Sequence, residues 1–178
     1  LAGAARPLIG LLYAARGIGA AAGPIIARRI GGESPKQMRR AISVAFFTAG
    51  IFYLIFSQAL SLPLAAIAVL GSHMGGSTLW VFSTTLLHLV VPDRYRGRVF
   101  AANLGLLTLS MSLSNYFTGW GLDTAKLYPR ALAAILGLIF FIPGIIWAAL
   151  QIFWPWAEDN KQQASDGEIA DQERSDER

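Results

Sequence analysis

The chain has 178 residues, 54% of them hydrophobic and only 15% charged, and it contains no cysteine. Soluble domains are about 25% charged, so this composition does not cover a water-facing surface, and disulfides and thiolate-held metals are excluded. The charge is also segregated: residues 1–156 carry twelve Lys and Arg against three Asp and Glu, whereas residues 157–178 carry three against eight.

A membrane-spanning helix needs about 20 mostly apolar residues. Five stretches qualify: residues 7–27, interrupted by Arg16; 41–60, without a charge; 63–91, opening near Pro63; 99–121; and 131–154. None alternates like a strand. The expected fold is an all-α membrane protein of five transmembrane helices within residues 1–156, followed by a disordered acidic tail, 157–178.

Between the spans the charges alternate. The loop 28–40 carries Arg28, Arg29, Lys36, Arg39 and Arg40 against Glu33. The loop 58–62 is uncharged, and the next carries Arg94, Arg96 and Arg98 beside Asp93. The last, 122–130, is mixed, with Asp123, Lys126 and Arg130. Lys and Arg favour the cytoplasmic side, which places the first and third loops and the acidic tail there. Trp120, Trp154 and Trp156 fall at predicted helix ends, where indole rings favour the headgroup layer. Basic residues confined to such gaps fit a lipid boundary rather than a phosphate-binding groove, so the bilayer is the expected partner and nucleic acid is not. The first residue is Leu1, and the first helix enters from outside; the beginning of the chain and a further helix are expected upstream.

Polar side chains separate the helices into two kinds. The second and fifth are almost wholly aliphatic and aromatic and are expected to face lipid. The third carries His73, Ser77, Trp80, Thr84 and His88 at helical spacing on one face. The fourth carries Asn103, Ser110, Ser114 and Thr118 on one stripe and Thr108, Ser112 and Asn115 on another, and the first carries Tyr13 and Arg16. Polar groups inside a bilayer usually turn toward the bundle interior or a water-filled cavity, although Ser, Thr and Asn also simply hydrogen-bond between packed helices. The expectation is that the first, third and fourth helices line a polar cavity, with Tyr13, Arg16, His73, Trp80, Asn103 and Asn115 binding a small-molecule substrate. Arg16 sits near mid-membrane, where a guanidinium costs at least about 2.5–3.5 kcal/mol; it would meet an anionic group. Gly19 with Gly23, and Gly71 with Gly75, have the spacing of close helix packing. No phosphate loop, zinc-ligand spacing, nucleophile–base pair or intramembrane carboxylate pair occurs, so neither enzyme activity nor a cofactor or metal is expected.

The stretch LLYAARGIGAAAGPIIARRI, its basic loop and the later VPDRYRGRVFA between two apolar runs resemble the second half of a major facilitator superfamily transporter. They are similar to bacterial efflux members of the siderophore- and macrolide-exporter type. The resemblance covers about residues 1–156. It implies that the five spans are the eighth to twelfth helices of twelve, part of a six-helix half-bundle whose N-terminal half lies elsewhere in the protein. It implies a multi-pass protein of the bacterial inner membrane that exports a small amphipathic compound in exchange for protons. The eighth, tenth and eleventh helices would line the cavity. Gly23 and Arg28 match the family's cytoplasmic signature, with Ala27 where an acidic residue is usual; Asp93, Arg94, Arg96 and Arg98 match a second loop. The resemblance makes these charged residues a cytoplasmic gate; positive-inside topology accounts for them equally well. The alternative is a non-transporting scaffold or assembly subunit that uses its glycine faces to bind partner helices.

Overall fold

The computed structural model describes residues 2–153, with side chains from Pro7 onward. Trp154, Trp156 and the acidic segment 157–178 lie outside the described residues. Five helices follow one another: α1 (Ala2–Gly31), α2 (Pro35–Gln58), α3 (Leu62–Val90), α4 (Asp93–Asp123) and α5 (Pro129–Phe153). Among the described residues no strand occurs. α1, α2, α3 and α5 are long and apolar enough to cross a membrane. That pattern points to a multi-pass membrane protein. α4 has the length, 31 residues, but not the apolarity, because Asn103, Thr108, Ser110, Ser112, Ser114, Asn115 and Thr118 interrupt it.

The helices outrun the apolar stretches at the charged loops. α2 starts at Pro35 and takes in Lys36, Arg39 and Arg40; α4 starts at Asp93 and takes in Arg94, Arg96 and Arg98. Apolarity marks the depth of a segment in lipid, whereas a helix continues until a cap satisfies its end. The first loop shrinks to a tight turn over residues 32–34. Gly32 takes φ +88°, open to glycine without strain. Ser34 then caps α2: its Oγ accepts from the Gln37 amide at 3.3 Å, and Gln37 Oε1 accepts from the Ser34 amide at 3.0 Å. Ser34→Ala should cost about 1 kcal/mol of stability, read as a lowered midpoint of thermal unfolding in detergent. An unchanged midpoint would show that Pro35 alone sets the helix start.

Hydrogen bonds and packing between helix ends give the bundle two distinct ends. Ala27 of α1 packs on a cluster of Met38, Ile42, Phe82 and Leu86 from α2 and α3, joined by Trp147 of α5. Trp147 Nε1 donates to the Arg39 carbonyl at 3.1 Å, and Gln151 Nε2 to Ser43 Oγ at 2.7 Å. The His88 ring lies 4.1 Å from that of Phe100, centroid to centroid, joining α3 to α4 at the same end. The basic residues of the first and third loops all collect here. At the opposite end Arg130 donates to the Ala59 carbonyl at 3.0 Å, and Gly121 of α4 meets Leu132 of α5.

Glycines set how closely the helices approach. Gly19 and Gly23 of α1 lie against the backbone of Leu70 and Met74 in α3, leaving no room for a Cβ. Gly75 meets the Ala45 carbonyl and the Ala49 amide of α2, where a Cβ would come within 2.7 Å of each. Gly71 lies on the Phe52 ring, and Gly50 of α2 faces Gly137 of α5. The glycine pairs are thus internal packing faces. α2 corrects one expectation. It is not peripheral but sits between α3 and α5, burying Ile42, Ala45 and Ala49. An all-round apolar helix suits a bundle interior as well as lipid, and only its small residues, read together with Gly75 and Gly137, distinguish the two. α5 does face outward, with Leu138, Ile142, Ile145 and Ile146 exposed.

Candidate functional site

Arg16 lies close to the middle of the apolar segment Pro7–Gly31. Its side chain is exposed, with the guanidinium carbon 6.0 Å from the centre of the exposed Tyr13 ring. The matched contacts of Gly19 with Leu70 and Gly23 with Met74 put α1 and α3 side by side, running in the same direction. At 1.5 Å per residue, Arg16 therefore sits about 9 Å from the level of His73 and about 20 Å from that of Trp80.

α3 divides its polar side chains between different surroundings. His73 is half-buried; its Nδ1 lies 2.9 Å from the Val69 carbonyl and 3.2 Å from Ser72 Oγ. A proton on Nδ1 serves the carbonyl, which makes Nε2 the free ring nitrogen. Ser77 Oγ lies against Gly23 and donates to the Met74 carbonyl at 3.2 Å, so it belongs to the α1–α3 contact rather than to an open cavity. Trp80 is 46% exposed. His88 stacks on Phe100 at the basic end, away from mid-bundle.

α4 touches its neighbours mainly at its two ends, and Gly121 is its buried residue. Asn103 and Asn115 are both exposed. The hydroxyls of Thr108, Ser110 and Ser112 donate to the carbonyls four residues earlier at 2.8–2.9 Å, which is how a serine-rich helix lowers its cost in apolar surroundings. Ser114 and Thr118 instead line a cleft of about 440 Å³ against α5, with Leu132, Ile135 and Ile139. The C-terminal part of one polar stripe thus turns toward α5. The six candidate substrate residues are not gathered into one pocket: Tyr13 and Arg16 pair, and the others stand on separate faces and levels.

The charged candidates at the basic end form local pairs. Arg28 Nε donates to Glu33 Oε1 at 2.6 Å, and this hydrogen bond, with the attraction of the charge, holds the Glu33 carboxyl below its usual range. Asp93 pairs with Arg96 at 2.6 Å, one turn along α4, and Arg96 also reaches the His88 carbonyl at 3.4 Å. Arg94 stacks over the neighbouring Tyr95 ring at 4.3 Å and donates to its hydroxyl. These pairs are exposed, and solvent screens such pairs, so they contribute little to stability. Arg28 and the 93–98 group do not bridge to each other. No family model matches the chain, and neither does any curated protein or solved structure.

Sequence reading did not anticipate the buried polar groups of α2 and α3. Arg39, placed by sequence in a loop, is helical and only 6% exposed; Ser57, Ser72 and Thr78 are buried as well. Gln151 and Ser43 bond across 108 residues of chain, a pairing that no local spacing signals. No cluster of His, Asp or Glu suited to a metal occurs among the described residues.

Proposed function

We propose that the chain is part of a secondary active transporter of the major facilitator type, working by alternating access. It would sit in a bacterial inner membrane and export a small amphipathic compound in exchange for protons. The observation that carries this reading is the exposed pair Tyr13 and Arg16, close to the middle of the apolar segment Pro7–Gly31; Asn103 and Asn115 of α4 are exposed as well. Exposed to lipid, an arginine at such depth would be costly; facing a second helical unit across a water-filled cavity, it would not. In this reading the five helices form one wall, and the N-terminal half of the same protein forms the other. The scaffold alternative is less well supported, because Gly19, Gly23, Gly71 and Gly75, which it needs for partner helices, are occupied within the bundle.

The chain has no cysteine, so single thiols introduced at positions 73 and 103 of the full-length protein can be compared with thiols at 47 and 141. Phe47 and Phe141 pack edge to face at 5.7 Å between α2 and α5. A membrane-impermeant thiol reagent should label 73 and 103 and spare 47 and 141, with substrate protecting the first two. Equal shielding at all four sites would remove the cavity.

A further inference from the structure

We propose that a groove between α1 and α2, at the basic end of the bundle, holds one anionic phospholipid, its phosphate at Arg40 and an acyl chain along the groove. α1 and α2 both pack on α3 but scarcely on each other, and between them lies a cavity of about 460 Å³. Ile26 and Ile30 of α1 form one wall, Ala41 and Val44 of α2 the other, and Met74 and Gly75 of α3 the floor. The hydroxyls of Thr48 and Thr78, deeper in, already donate to the Val44 and Met74 carbonyls at 2.8 Å each. The interior therefore keeps no free hydroxyl proton for a polar ligand, and its chemistry suits hydrocarbon.

The mouth differs. Gln37 and Arg40 line it, and Gln37 is engaged in capping α2. Among the described residues no acceptor partners the Arg40 guanidinium, whereas Arg28 is held by Glu33 and Arg96 by Asp93. An unpaired guanidinium at the headgroup end of an apolar groove recognises phosphate. Length agrees: from Gln37 to Thr48 α2 rises about 17 Å, close to half of a hydrocarbon core of about 30 Å. A groove of that extent takes one leaflet's chain. The occupant is neither a free anion, which has no use for the apolar walls, nor a zwitterionic lipid, whose cationic headgroup would meet Arg40. The site lies apart from Arg16 and does not depend on transport; it requires only that the chain lie in a bilayer.

The test uses the full chain in nanodiscs of phosphatidylcholine with a minority of phosphatidylglycerol, and native mass spectrometry of the released protein. The expected result is one retained phosphatidylglycerol, not displaced by excess inorganic phosphate. Arg40→Gln should weaken retention about fivefold, and Val44→Trp, which fills the groove, should abolish it. Arg98→Gln, an equal loss of charge outside the groove, should leave it unchanged. Equal retention of phosphatidylcholine, no loss on Arg40→Gln, or the same loss on Arg98→Gln would overturn the proposal. Should Val44→Trp misfold, the two arginine variants decide by themselves. Failure of the chain to enter nanodiscs would overturn the membrane reading as well, whereas an inserted chain without bound lipid overturns the lipid site alone.

Discussion

Gly23→Leu should lower the midpoint of thermal unfolding in detergent by roughly 3–10 °C, the effect of about 1–3 kcal/mol of overpacking in a chain of this size. The cause is specific to one contact. A Cβ at Gly23 would overlap the Met74 backbone carbonyl and come within 2.8 Å of Ser77 Oγ. A backbone does not rotate away as a side-chain tip does, so α1 must shift from α3 along the line of closest approach. Gly17 supplies the comparison. It lies in the same helix, and a Cβ there meets nothing within 4 Å. Gly17→Leu should leave the midpoint unchanged or slightly raised, since leucine favours helix over glycine. Gly19→Leu, against Leu70, should behave like Gly23→Leu. If Gly17 and Gly23 respond alike, α1 does not pack on α3 through its glycine face.

Arg16→Ala should reduce transport by the full-length protein in vesicles by about tenfold to a hundredfold, the loss of a charge-assisted hydrogen bond of about 1.5–3 kcal/mol to an anionic group. Membrane insertion should be unimpaired or improved, because a costly charge leaves the middle of a span. That separation distinguishes a binding role from a structural one: no neighbouring helix buries Arg16, and the ring of Tyr13 beside it is exposed. Arg16→Lys keeps the charge but loses the planar fork, so partial activity is expected. Full transport by Arg16→Ala would take Arg16 out of the substrate path. A protein that no longer inserts would make it a topological anchor.

These two variants mark where sequence reasoning reaches and where it stops. The close-packing role of Gly19, Gly23, Gly71 and Gly75 was legible because small residues four apart imply a backbone approach on one helix face. Which helix approaches was not legible, since spacing within a helix says nothing of its neighbour. The polar residues of α3 and α4 were legible as stripes, but a stripe fixes an angle around one axis only. Ser77 proved to belong to the contact with Gly23, and Ser114 and Thr118 to the cleft beside α5. The candidate site is therefore looser than the sequence suggests, with Tyr13 and Arg16 as its one local pair.

By itself the sequence determined five helices and their order, the uncharged loop at one end and the basic loops at the other. Hydropathy and charge are properties of single segments, and the medium acts on each segment separately. Tertiary structure alone decided that α2 is central, that Arg39 is buried, that α4 stands largely free, and that a groove opens between α1 and α2 beside Arg40. Those outcomes depend on which small residues of two helices meet at the same height. That matching is a property of pairs of segments, and neither segment carries it alone.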